Sequence, residues 1–270
     1  MSSTSLPAPL GVSSALSGLA RWASLVYGGL AYLAFFGTIL YAIGFVGDWF
    51  VPKSIDSGVP GPLWTGLVIN TGLLSVFVLQ HTIMARPAYK RWSARFVPRG
   101  VERSTFVLAA CASLVLLFWQ WRPLPAVVWE VSSPLAMASL TLLSLLGWAT
   151  VFAASFMVSH FDLFGLRQVW LRWKNRPYEP VGFRLVGLYR LVRHPLMLGF
   201  LIAFWATPTM TLGHLFFALM VTAYIAMGVW FEERDLIAEH GENYLAYKRR
   251  VPAVLPLPRA RRSNTTGGGS

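Results

Sequence analysis

PLMLGFLIAFWATPTMTLGHLFFALMVTAYIAMGVWF, residues 195–231, contains no Asp, Glu, Lys or Arg. A helix crosses a hydrocarbon core of about 30 Å with about 20 apolar residues, so this stretch is too long for one span. Its middle, Thr207-Pro208-Thr209-Met210-Thr211-Leu212-Gly213-His214, carries helix-breaking and turn chemistry. It therefore reads as two short helices forming a hairpin.

Working outward, four more uncharged stretches precede it: Trp22–Gly47, Ser57–Ala85, Ser104–Trp121 and Val131–Phe161. The whole chain is 55% hydrophobic and 13% charged, against about 45–50% and about 25% in soluble domains. The fold class is accordingly all-α: a polytopic transmembrane helical bundle of about six spanning segments, the last two a short hairpin, with a cytosolic C-terminal helix. The Ser/Pro/Ala-rich start lacks the basic region of a signal peptide, and Trp22–Gly47 is long enough to be a retained span.

Charge orients the bundle. Of 23 Lys and Arg residues only Lys53 and Arg122 fall between spans on one side. The others include Arg21, the run from Arg86 to Arg103 with Arg99, the run from Arg167 to Arg193 with Arg184, and Arg234, Lys248, Arg249, Arg250, Arg259, Arg261 and Arg262. Basic residues accumulate on the cytoplasmic side of short loops, so both termini are expected to be cytosolic. Residues 1–21 form an N-terminal tail, and 22–231 the membrane domain with cytosolic loops 86–103 and 162–194. Residues 232–258 form a cytosolic segment, and 259–270 a basic tail ending in linker-like Gly-Gly-Gly-Ser. The net charge of +12 requires no nucleic acid; the anionic lipid of the cytosolic leaflet is a sufficient partner. The lone Cys111 excludes an internal disulfide.

Ionisable groups at membrane depth are functional candidates, and here they are His81, His160, His194, Glu232 and Glu233, all at the expected cytosolic ends of spans. Arg193-His194-Pro195 reads as a basic approach to a helix opened by proline. Such an N-terminus offers free N–H groups to an anion, and Arg193 adds a fork for a carboxylate. Gly199 permits close approach of a ligand or a neighbouring helix. Glu232-Glu233 ends the hairpin's return helix, where the dipole disfavours anions, so a cation should face them. The apolar group Trp119, Trp121, Phe152, Phe156, Phe204 and Trp205 reads as core or lipid contact.

The C-terminal blocks resemble a known family. Arg193-His194-Pro195 with Gly199, then a two-helix hairpin, then Glu232-Glu233-Arg234-Asp235-Leu236, then Gly241-Glu242-Asn243-Tyr244-Leu245-Ala246-Tyr247-Lys248-Arg249-Arg250-Val251-Pro252 resemble the isoprenylcysteine carboxyl methyltransferase superfamily. That superfamily has an aromatic residue two positions after the proline, where this chain has Met197. Two earlier blocks, Gln80-His81-Thr82-Ile83-Met84-Ala85-Arg86-Pro87 and Ser159-His160-Phe161-Asp162-Leu163-Phe164-Gly165-Leu166-Arg167-Gln168, resemble the methanethiol S-methyltransferases within it.

The resemblance implies S-adenosyl-L-methionine as cofactor and a small apolar thiol, methanethiol, as substrate, with dimethyl sulfide as product. It places Tyr189, Arg193, His194, Pro195, Gly199, Glu232 and Glu233 around the cofactor, Tyr244 and Tyr247 as a cytosolic lid, and Arg249 and Arg250 behind them; residues 232–258 complete that site. Methyl transfer from a sulfonium is an in-line displacement that requires alignment and exclusion of water. A thiol reacts as its thiolate, so a base is useful: His160 first, poised by Asp162 or a backbone partner, with His81 second. No metal is expected. Competing readings are a methyltransferase for a larger lipid or isoprenyl thiol or carboxylate, and a haem- or metal-binding protein using His81, His160 and His194.

Overall fold

The structure, a computed structural model, describes residues 10–98, 100–182 and 185–256. Arg99, Arg184, Arg259, Arg261, Arg262, the linker-like end and the first nine residues lie outside the described residues. The elements run α1 (Leu10–Gly47), α2 (Leu63–Ala85), α3 (Pro87–Ser93), α4 (Glu102–Gln120), β1 (Val127–Glu130), α5 (Pro134–Val158), α6 (His160–Leu163), α7 (Leu166–Trp173), a 3-10 turn (Gly187–Arg190), α8 (Pro195–Trp205), β2 (Thr209–Thr211), α9 (Leu212–His240) and α10 (Glu242–Arg250). The bundle is a polytopic helical membrane protein: α1, α2, α4, α5 and α9 are each long and apolar enough to cross a bilayer.

The hairpin differs from expectation in how it is held. At 11 residues, α8 is about 16 Å long and packs chiefly along α5 rather than against α9. The two backbones touch through glycines. A Cβ on Gly147 would lie 2.6 Å from the Ala203 nitrogen, and one on Gly199 would lie 2.7 Å from the Gly147 carbonyl oxygen. The Ser144 hydroxyl adds a bond to the Ala203 carbonyl at 2.9 Å. Beyond α8 the chain extends, and β2 pairs antiparallel with β1, Trp129 opposite Met210 and Glu130 opposite Thr209. The hairpin thus reaches the end of the bundle that holds the α4–α5 connection, and this strand pair is the one sheet among the described residues.

That end is closed. Phe45, Leu117, Phe118, Trp121, Trp148, Phe204 and Phe217 form the main core. Asn70 clamps Arg122, donating to its carbonyl at 2.8 Å and accepting from its N–H at 2.9 Å, while the Trp121 indole donates to the Ile55 carbonyl at 3.1 Å. The apolar group read as core or lipid contact divides accordingly: Trp121 and Phe204 are buried, whereas Trp119 and Phe156 are exposed. Large apolar side chains such as Leu33, Leu40, Val68 and Leu142 cover the outer faces, as a lipid solvent requires of a helical bundle.

The opposite end, where the basic segments lie, is built from short pieces. The amphipathic α7 crosses the start of α1, Val169 seated over Gly28 and Trp173 edge-on to Trp22 at 5.0 Å. The C-terminal helix is interrupted at Gly241 (φ +54°), so α9 carries Glu232 and Glu233 inward while α10 folds back beneath them.

Candidate active site

The sequence 191–195 cannot start a helix until Pro195, whose missing N–H suits the first position of α8. Before it, the chain is pinned in extended form: the Arg193 N–H donates to the Pro252 carbonyl and the His194 N–H to the Ala253 carbonyl, both at 2.9 Å. Arg193 is therefore delivered into the interior, 6% exposed. Its Nε donates to Glu233 Oε1 at 2.7 Å, its Nη2 donates to the same oxygen, and its Nη1 donates to the carbonyls of Lys248 and Val251. Lys248 Nζ lies 2.7 Å from Glu233 Oε2. Arg193 is thus committed to fastening α8, α9 and α10 together rather than held open as a fork for a ligand. Lys248 was not singled out in the sequence; its place one helical turn past Tyr244, on the face carrying the lid tyrosines, was the available signal.

His194 sits between the two acids, Nε2 at 3.3 Å from Glu233 Oε1 and Nδ1 at 3.5 Å from Glu232 Oε2. The Glu232 side chain is 52% exposed and is the accessible carboxylate of the pair. Beside it, the first turn of α8 has no side-chain cap; Pro195 has no N–H and Leu198 donates to the His194 carbonyl, which leaves the N–H groups of Leu196 and Met197. Tyr244 and Tyr247 are buried with rings 5.8 Å apart, and the Tyr247 hydroxyl donates to the Tyr189 carbonyl at 2.6 Å. Burial pushes all three phenols, Tyr189, Tyr244 and Tyr247, up to about 12, so they act as neutral donors. Gly199 is taken up by the α5 contact, Pro195 is buried, and Arg249 and Arg250 are exposed, Arg249 paired with Glu242.

The turn that carries Tyr189 depends on Gly187. Its φ is +50°, and a Cβ there would meet the Met157 sulfur at 2.6 Å. Glycine alone satisfies both demands, and the turn is thereby pressed onto the end of α5, next to His160.

His160 is 3% exposed and stacked on Phe156 at 4.1 Å, with Tyr32, Phe35, Phe161 and Phe164 around its edge. Both ring nitrogens are engaged, Nδ1 with Ser155 Oγ at 2.8 Å and Nε2 with the Tyr32 hydroxyl at 2.9 Å. The single Ser155 proton goes to the Phe152 carbonyl at 2.7 Å, so Nδ1–H donates to Ser155 and Nε2 accepts from Tyr32. Burial lowers the imidazole pKa, in keeping with that neutral form. Asp162, expected to poise His160, instead pairs with Arg167 at 2.9 Å and accepts from Tyr178 at 3.0 Å. The cause is local: Ser159 separates α5 from the one-turn α6, which turns His160 back toward Ser155. Ser155 and Tyr32 carry no sequence signal distinguishing them from span residues.

His81 lies on the other side of the same aromatic cluster. Phe164 stacks on Phe35 at 3.6 Å, both pack against Phe106, and Phe106 meets His81 at 4.8 Å. Phe77 and Tyr224 complete its surroundings. In contrast to His160, its Nδ1 is buried and makes no hydrogen bond among the described residues. The three histidines do not form a ligand set: no group of three or more His, Cys, Asp or Glu among the described residues is placed to hold a metal ion.

A family described as NnrU protein matches residues 70–251. This chain belongs to the NnrU family. Members of its methanethiol S-methyltransferase branch align over nearly their whole length. The methanethiol S-methyltransferase of Mycobacterium tuberculosis is 52% identical over 88% of this chain and 98% of its own. Methanethiol S-methyltransferase 2 of Bradyrhizobium diazoefficiens is 53% identical over 90% and 93%. Nurim of Xenopus laevis is 30% identical over 84% and 87%. No solved structure matches the chain. The NnrU span takes in His81, His160, Arg193, Glu232 and Tyr247 alike, whereas Tyr32 precedes it. The names of these relatives, together with the apolar helices, support a membrane methyltransferase.

Proposed function

We propose that this NnrU-family member methylates methanethiol to dimethyl sulfide with S-adenosyl-L-methionine as donor, at the cytosolic face of a bacterial inner membrane. One observation supports the donor site above all: the half-exposed Glu232 carboxylate stands beside the uncapped start of α8. An acceptor for an ammonium next to a set of N–H donors for a carboxylate is the complement of an amino-acid zwitterion. These groups fit the methionyl end of the cofactor. Arg193, Glu233 and Lys248 act as positioning residues that fix α8 against α9 and α10, and Tyr189, Tyr244 and Tyr247 close the polar side. When bound, the cofactor supplies a methyl group on a cationic sulfur.

The acceptor needs to lose its proton in an apolar setting. His81, with an open Nδ1 inside the bundle, is better placed to take it than His160, whose nitrogens are both occupied. The sequence ranks His160 first, poised by Asp162 or a backbone partner, and His81 second; the open Nδ1 of His81 supports the opposite order. His160 then holds the aromatic wall between α1, α5 and α6.

The experiment is direct. Purified protein given methyl-labelled donor and methanethiol should release labelled dimethyl sulfide, measured by gas chromatography, and Glu232→Ala should weaken donor binding in calorimetry. No product from methanethiol, alongside methylation of a prenylated thiol, would overturn the assignment.

A further inference from the structure

A cavity of about 560 Å³ opens at the basic end between α2, α3, α4 and α6, with lining residues other than those of the Arg193–Glu233 cluster. Its size falls within the range of small-molecule sites. Met84, Ala85, Val97, Phe106 and Leu163 give it an apolar floor. The charged and titratable groups around it are Tyr89, Lys90 and Arg91 from α3, Glu102 and Arg103 from α4, Asp162 from α6, and Tyr178. Asp162 is already bound by Arg167 and Tyr178, which leaves three cations facing one uncommitted acid.

Arg103 is the unusual member. Its Nε donates to the Leu163 carbonyl at 2.6 Å and its guanidinium lies over the Phe106 ring at 4.9 Å. Among the described residues no carboxylate pairs with it. Asp162 and Glu102 act on its charge from beyond ion-pair distance, so the half-buried guanidinium is without a direct partner of opposite charge, and it lines the cavity. His81 also packs against Phe106, at 4.8 Å, and shares one face of α2 with the cavity-lining Met84 and Ala85 at helical spacing. Arg103 and His81 thus both border the ring of one cavity-lining phenylalanine.

We infer that this cavity is the acceptor's route and binding site, and that Arg103 is a catalytic residue that binds the acceptor sulfur as its thiolate. This rests on the thiol-methylating function proposed above. The S–H bond breaks heterolytically: the proton passes to His81 Nδ1, and the electron pair stays on sulfur, held by the Arg103 amino groups. That pair then forms the new S–C bond as the donor's C–S bond breaks onto its own sulfur. A fixed positive charge in a low-dielectric pocket favours the ionised form of a thiol, offsetting the opposite pull of the apolar floor.

The test compares two small thiols of unlike acidity, methanethiol and the more acidic 2,2,2-trifluoroethanethiol, across pH. Arg103→Met should lower kcat/KM for methanethiol by about 100-fold and for the acidic thiol far less. It should also move the rise of activity to higher pH and leave donor binding unchanged in calorimetry. Arg103→Lys, which retains the charge and guards against a folding defect, should recover part of the methanethiol activity and lie lower on the pH axis than Arg103→Met. Equal losses for both thiols with an unmoved pH profile, or no loss at all, would overturn the role of Arg103 while leaving the proposed function standing. An unsubstituted protein that methylates neither thiol would instead remove that function, and this inference with it.

Discussion

His160 and His81 flank one cluster of aromatic rings, Phe35, Phe106 and Phe164, at the same end of the same bundle, and they differ in their hydrogen bonds. His160 gives one bond from Nδ1 and receives one at Nε2, inside a cage that keeps it 3% exposed. His81 is packed among comparable rings but keeps Nδ1 open. Buried polar atoms are normally satisfied, so an open one is informative where a satisfied one is not. Under the proposed function, the difference favours a structural role for His160 and a chemical one for His81.

The comparison breaks most sharply on turnover. His81→Ala should lower kcat by about 10²–10⁴-fold, the usual contribution of a general base, with donor binding unaltered in calorimetry. If His160→Ala proved the more damaging to turnover, the two roles would have to be exchanged. On stability the order should invert. His160→Phe keeps a ring against Phe156 but leaves Ser155 and Tyr32 without their partner, a loss of about 1–3 kcal/mol visible in thermal unfolding in detergent. The smallest effect concerns acid. Burial holds the folded His160 below its ordinary pKa of about 6.5, so between the two values only the unfolded chain takes up the proton. Its contribution is complete above about 6.5 and is lost as pH falls through the lowered folded value. Tm should therefore drop on acidification, and His160→Phe should flatten that slope; an unchanged slope would remove the satisfied-histidine reading.

The spans were legible because lipid demands long uncharged runs, and each of the four single runs contains one long helix. The turn within 195–231 was legible from Thr207-Pro208-Thr209. Its anchorage was not: β1 and β2 are three or four residues each and far apart in sequence, and no local propensity announces such a pair. Gly199 carried two readings, ligand or helix, and only the facing Gly147 decides that the α5 backbone fills the space. At the site, charge balance required a cation opposite Glu232-Glu233, and Arg193 stands there. Nothing in the sequence showed that Arg193 would be used up in that role. Arg103 was hidden for the opposite reason: counted with the loop cations, it is in truth the second residue of α4, and its place on the cavity wall, outside any direct ion pair, is a fact of three dimensions.

The pairing of β1 with β2 has a consequence for how the molecule is made. During synthesis β1 emerges with the α4–α5 connection and must wait, unpaired, until α5, the basic-end segments and the short α8 have been threaded and β2 arrives. Contacts so distant along the chain form late, because loop closure has to be met before they reward it. An α8 too short to anchor itself is then locked from both ends at once, by Gly147 along its side and by the strand pair beyond it. The clasp thus closes only after α8 has been laid down and β2 has followed it, before the final pass is made.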